Sequence, residues 1–266
     1  MVHPRMRTSG ALDTYSYIDA TNALGREYPD IQLSDIIAVD SKIKDLAITA
    51  SERGVVVLRR QDIEVHQLKY LIQRMGELTG KPKEGKLHVT PIHPDVNLCL
   101  GDDPVFSDPE VYVVSSEHNR DKFDDYLNTK QKQFASRGWH ADTSYENIPS
   151  DYIAMKMVKT PRTGGDTLFG SCYGAYDRLS EPWQRMADSL SFVTNPVTGW
   201  KALWGFSPIS MRANGKINEV TDYEHELMKA YFLKLITDNH DLQYRHRWET
   251  DDVVIWDNRT VLHAGT

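Results

Sequence analysis

Two cysteines, Cys99 and Cys172, in 266 residues are too few for a disulfide framework. Both read as free core thiols, which fits a reducing, cytoplasmic compartment. A basic excess is also lacking. Lys and Arg number 31 against 38 Asp and Glu, and the net charge of −7 argues against nucleic-acid partners and against an anionic membrane surface. The N-terminal Met1-Val2-His3-Pro4-Arg5-Met6-Arg7 has no apolar stretch of the kind a secretory signal needs, and no run approaches membrane-spanning length. Repeats, low-complexity segments and linkers are absent, which favours one domain over 1–266. No Gly-rich phosphate loop leads from a strand into a helix, since Gly164-Gly165 precedes a strand-like segment instead.

What is present is ordinary for a soluble globular chain: 40% hydrophobic and 26% charged residues, enough for a sizeable core. The first forty residues are polar and carry little pattern. Ile43, Leu46, Ala47 and Ala50 share one face of a helix over Ser41–Arg53, with Gly54 as its stop. Gly54 to Arg59 is an apolar, β-branched run and predicts a buried strand. Helical spacing returns over Val65–Leu78, completing a helical N-terminal part of about 1–80. Short strands follow, divided by Pro, Gly, Asn and Asp: Val111–Val114, Tyr152–Val158, Thr167–Phe169 and Asp252–Trp256. Helices over Tyr173–Leu179, continuing through Pro182–Leu190, and over Tyr223–Leu235 interrupt them. The pattern predicts a mainly β sandwich or jelly roll with flanking helices. His3, His66, His118, His225 and His240 lie among polar residues and read as surface groups.

The chemistry concentrates in Trp139-His140-Ala141-Asp142 and in a distant His263. On a strand, His140 and Asp142 would point to one face. With His263 they make two imidazoles and one carboxylate, a set that suits non-heme Fe(II) because it leaves coordination positions open. Alone, a His-x-Asp pair arises by chance in many proteins. Trp139 and Trp256 could shield such a metal or simply fill core, and Asp257-Asn258-Arg259 reads as a tight turn whose polar groups stabilise it. Thr167 opens a strand after a polar turn, and its hydroxyl could donate to a carboxylate.

Five segments in one order carry a resemblance: His140-Ala141-Asp142, Gly164-Gly165-Asp166-Thr167-Leu168, Ala175–Ser180, Asn195–Leu203, and Trp256-Asp257-Asn258-Arg259 with His263. From about Gly54 onward the chain resembles the taurine dioxygenase (TauD/TfdA-like) family of Fe(II)- and 2-oxoglutarate-dependent oxygenases, particularly its fungal branch. The resemblance implies a double-stranded β-helix. It implies His140, Asp142 and His263 as iron ligands and Thr167 as donor to a carboxylate of 2-oxoglutarate. With O₂ the cosubstrate would be decarboxylated to succinate and CO₂ and the substrate oxidised, by hydroxylation as the default or by desaturation or cyclisation.

The chain departs from that pattern in three places. The family's arginine for the far carboxylate follows the second histidine, whereas this sequence reaches Thr266 first, so a missing C-terminal end is expected. Arg245 and Arg247 are the available substitutes, although they read as strand surface. Phe192-Val193-Thr194 nearly abuts Asn195-Pro196-Val197, where the family carries an insertion over the site, so a lid segment near 194–195 is expected to be missing as well. Finally, Thr90 and His93 stand where a taurine enzyme places a histidine and a tyrosine, and Ser136 stands near its asparagine. Taurine is therefore disfavoured, and the expected substrate is a small polar or anionic molecule such as an amino acid, carboxylate or sulfonate. Its pocket is expected from Thr90, His93, Ser136, Trp204 and Phe206. A catalytically silent jelly roll that binds metal or 2-oxoglutarate is the alternative. A zinc hydrolase ranks last for want of a general base beside the triad. Oligomerisation is left open.

Overall fold

The computed structural model describes residues 4–89, 108–115, 135–144, 146–189, 194–205, 217 and 220–266. The chain divides into two compact units, Lys86–Phe134 and the remainder, Met1–Gly85 with Ala135–Thr266. In the smaller unit the described stretch 108–115 holds a turn, closed by the Val111 amide on the Asp108 carbonyl, and no strand. The strand expected at Val111–Val114 is thus not formed. Tyr112 and Val114 are exposed there, while Val111 and Val113 are half-buried.

The larger unit holds two sheets. One has the order β1 (Ile18–Asp19), β2 (Arg26–Tyr28), β3 (Val55–Leu58), β7 (Val253–Asp257) and β4 (Tyr152–Lys156). The other has the order β6 (Gln243–His246), β5 (Thr167–Ser171) and β8 (Val261–Gly265). Strand alternation sends Val55, Val57, Val254 and Trp256 of the first sheet into one cluster with Phe169 and Val261 of the second. This interior layer is where the site is built. Burial of β3 on both faces explains its unbroken apolar run.

Two helices flank the first sheet. The first, α1 (Asp40–Arg53), packs on β3 and β7, and α2 (Val65–Leu78) packs on α1 and β4. Gly54 ends α1 at φ +71, where a Cβ would meet Val261 Cγ1 at 2.8 Å, so neither the backbone nor the space admits a side chain. Glu64 and Gln67 form a capping box at the start of α2, which explains the agreement between its bounds and the helical spacing. Helices α3 (Cys172–Asp177), α4 (Glu181–Ser189) and α5 (Asp222–Thr237) join a second cluster with Trp139, Leu262 and Ala264. The helix expected to run from Tyr173 to Leu190 is therefore two, with Pro182 in the first turn of the second, where its missing N–H is harmless.

Helices occupy more of the described residues than the short strands do. The architecture is mixed sheets with flanking helices rather than mainly β. No helix among the described residues is long and apolar enough to cross a membrane. His225 is buried rather than exposed, because the apolar side of α5 carries it inward and its Nδ1 accepts from the Ile217 amide at 3.1 Å. Cys172 is buried and free, and Cys99 lies outside the described residues.

Candidate metal centre

His140 and His263 meet through a reciprocal backbone pair. The His140 amide donates to the His263 carbonyl at 2.9 Å, and the His263 amide donates back at 2.8 Å. This pairing puts both side chains on the same face, with ring centroids 4.1 Å apart. His140 Nδ1 lies 2.8 Å from the Gly138 carbonyl. A carbonyl only accepts, so Nδ1 carries a proton and Nε2 is the nitrogen left to reach a metal. That Nε2 is 3.5 Å from Asp142 Oδ1, and His263 Nε2 is 3.4 Å from Asp142 Oδ2.

One ligand atom from each of the three lies within 4.8 Å of the other two, and theirs is the only such group among the described residues. Ligands about 2.1 Å from a metal at right angles to one another are roughly 3 Å apart, and the two histidine–carboxylate separations of 3.4 and 3.5 Å come close to that. Burial pushes His263 down to about 4, with His140 adding to the shift and Asp142 opposing it. Its imidazole is therefore neutral at ordinary pH, as a ligand must be. The ring is held by packing, with Trp256 5.1 Å and Phe169 6.2 Å away between centroids.

Asp142 arrives by a different route from the one the spacing suggests. His140 makes a single bridge, and Asp142 already lies in a turn, followed by Thr143 at φ +50. The expected strand geometry is thus not what aligns the carboxylate. Its backbone is gripped instead by Asn258, which sequence reasoning treated only as a turn residue. Of the two tryptophans, Trp256 packs near the His263 ring. Trp139 packs in the helix-covered cluster, close against Gly170.

Thr167 shares the interior face with Phe169, two residues along β5, and stands opposite Gly265 in register while Phe169 stands opposite His263. Its Oγ1 accepts from Trp248 Nε1 at 2.9 Å. Thr167 also pairs with His246, which places Arg245 and Arg247 on the other face of β6 and its continuation. Arg245 is exposed and bound to Asp166 at 2.6 Å. Arg247 lines an outer cavity of about 680 Å³ with Arg162, Asp166 and Trp248. Ser136 lines another cavity, about 240 Å³, with Trp139 and Ala264, on the side of β8 turned away from His263. Trp204 Nε1 donates to the Asn258 carbonyl at 2.6 Å. Thr90, His93 and Phe206 lie outside the described residues.

His246 is fully buried beside Thr167 and Trp248, with Nδ1 3.0 Å from the Tyr244 hydroxyl. Burial and then the Arg59 charge push it to about 4, against the pull of Asp252. In the unfolded chain it titrates near 6.5. Its contribution to stability is therefore complete above pH 6.5 and disappears as pH falls toward 4, on the order of 3 kcal/mol in all. Urea unfolding of the wild type is expected to show that loss, and His246→Gln, which cannot titrate, should flatten the slope. An unchanged slope in the variant would assign the acid sensitivity elsewhere.

Comparison with known proteins gives the family. The family model "Taurine catabolism dioxygenase TauD, TfdA family" matches residues 16–196 and 191–266, two pieces that meet where the sequence suggests a shortened join. The alpha-ketoglutarate-dependent dioxygenase oryG of Aspergillus oryzae is 35% identical, over 98% of this chain and 85% of its own length. The alpha-ketoglutarate-dependent dioxygenase btcD of Neocamarosporium betae is 33% identical, over 100% and 89%. A taurine dioxygenase structure from Burkholderia xenovorans superposes with a TM-score of 0.71 at 22% identity, covering 95% of this chain and 84% of that one, which establishes a shared fold. On the family match, together with two relatives this similar over nearly the whole chain, the protein belongs to the TauD/TfdA family of dioxygenases.

Proposed function

We propose that this protein is an Fe(II)- and 2-oxoglutarate-dependent dioxygenase on a double-stranded β-helix, oxidising a small polar or anionic molecule with release of succinate and CO₂. The observation that carries the reading is the reciprocal His140–His263 pair, which sets two imidazoles against one carboxylate within metal-ligand reach. His140, Asp142 and His263 would hold the iron. Three protein ligands leave three positions, enough for a chelating keto acid and for O₂. When bound, the metal and cosubstrate supply oxidative decarboxylation and the removal of a substrate hydrogen. Hydroxylation is the default outcome.

The chain's own residues bind, orient and exclude water. Gly138 fixes the tautomer of His140, so its Nε2 faces the metal position. Phe169 and Trp256 wall the His263 ring from bulk water. Thr167 faces the same interior one step along the sheet, suitably placed for a carboxylate of 2-oxoglutarate. The Trp248 indole donates to the Thr167 oxygen, so the hydroxyl proton is turned away from Trp248 and is free to donate. Arg245 is not available for the far carboxylate, since it is exposed on the opposite face and paired with Asp166.

Adding Fe(II) and 2-oxoglutarate without oxygen should give a weak visible charge-transfer band, and admitting air should give succinate. Thr167→Ala and Trp248→Phe should keep metal binding and raise the KM for 2-oxoglutarate by about tenfold, the loss of one oriented hydrogen bond to a charged group. Wild-type protein that gives neither band nor succinate would point to a catalytically silent protein and overturn the reading. A screen of amino acids, carboxylates and sulfonates for faster succinate formation would identify the substrate.

A further inference from the structure

We infer that Asn258 is the positioning residue that makes Asp142 a metal ligand, its carboxamide replacing the strand that Asp142 lacks. This rests on the proposed metal site. His140 is aligned by backbone pairing with His263, but among the described residues no strand partner continues to Asp142. The chain turns at once, with Thr143 in the left-handed region at φ +50, a conformation a β-branched residue adopts only when its surroundings impose it.

What imposes it is visible. Asn258 Oδ1 accepts from the Asp142 amide at 3.0 Å, and Asn258 Nδ2 donates to the Asp142 carbonyl at 2.7 Å. Together these copy one rung of an antiparallel ladder, with a side chain standing in for the opposing backbone. The second N–H of the same carboxamide donates to the Ser150 carbonyl at 3.1 Å, closing the far end of the loop. Thr143 Oγ1 ties that end too, accepting from the Ser150 amide at 2.9 Å.

Asn258 is itself immobilised. It is fully buried in the turn between β7 and β8, its amide donates to the Asp151 carbonyl at 2.8 Å, and its carbonyl accepts from Trp204. The turn therefore sets two ligands at once: His263 through β8, and Asp142 through the Asn258 side chain. The residue type is specific. An aspartate here could accept from the Asp142 amide but would turn carboxylate oxygens toward two carbonyls, and a glutamine is one methylene too long. Outer groups of this kind are commonly worth about 10- to 100-fold in metal affinity.

Calorimetric titration of metal-free full-length protein with Mn(II) alone tests the inference, with Asp142→Ala as the non-binding reference. Asn258→Asp and Asn258→Ala should weaken Mn(II) binding by about 10- to 100-fold and broaden the bound-Mn(II) EPR spectrum, while Thr167→Ala does neither. Trp204→Phe frees only the Asn258 carbonyl and should cost a few-fold. It keeps the test decisive if both Asn258 variants fail to fold, because wild-type affinity in a folded Trp204→Phe then counts against the inference. A folded Asn258→Asp with wild-type affinity and spectrum overturns it and leaves the metal site standing. Wild-type protein that takes up no Mn(II) overturns the site and the inference together.

Discussion

Asp142→Ala is expected to reduce succinate formation about a thousandfold or more, equivalent to about 4 kcal/mol of lost binding and transition-state stabilisation. Asp142 contributes the only anionic group among the three donors, and both imidazoles reach toward its two oxygens. Without it, two imidazole nitrogens remain, too few to hold a divalent ion against water. Asp142→Asn keeps the shape and removes the charge, so it should bind metal weakly and remain nearly inactive. Asp142→Glu should also fail, because Asn258 pins the backbone and the longer side chain overshoots. None of these should unfold the metal-free protein, since the carboxylate is 36% exposed and makes no hydrogen bond that packing requires. The clean discriminator is thermal: Mn(II) at a hundred times its Kd should stabilise the wild type by about 2.7 kcal/mol and leave Asp142→Ala unmoved. An Asp142→Ala protein that still made succinate would falsify the ligand assignment.

The limits of sequence reasoning show in the same residues. The helix Val65–Leu78 was legible to the residue because Leu71, Ile72 and Met75 recur at helical spacing and Glu64 caps it locally. The partnership of His140 with His263 was legible through family resemblance, not through spacing. The posture of Asp142 was not legible, because it depends on an amide 116 residues away, and a lone asparagine in a turn looks like any other turn residue. Arg245 and Arg247 read as strand surface, and the register gives the reason: pairing Thr167 with His246 sends both arginines outward. His225 fails for a related reason. It lies among residues whose average polarity says surface, and a tertiary contact overrides it. Local chemistry is written along the chain, whereas the face a side chain presents is decided across it.

Arg259→Met should give the largest loss of stability, about 3–5 kcal/mol, by leaving a buried carboxylate without its cation. Arg259 holds Asp257 with two bonds, Nε to Oδ1 at 2.8 Å and its terminal nitrogen to Oδ2 at 2.7 Å. Ser51 of α1 and Asn195, in the loop of residues 194–205, donate to the same carboxylate at 2.7 and 2.9 Å, so one side chain ties a helix, a loop and the β7–β8 turn together. Burial alone would raise the Asp257 pKa, but Arg259 and these donors hold it below the usual carboxylate range. In the wild type the resulting stability is present above the unfolded value near 3.9 and is lost as pH falls below it. In Arg259→Met the balance reverses, because burial is no longer compensated and the carboxyl takes up a proton on folding. The deficit in urea unfolding should therefore be larger at pH 8 than at pH 5. Adding Asp257→Asn should recover part of it by removing the stranded charge, and strict additivity of the two substitutions would count against the pair. Asn258 lies between the two residues, so loosening this turn should weaken Mn(II) binding as well, coupling the stability of the core to the grip on the metal.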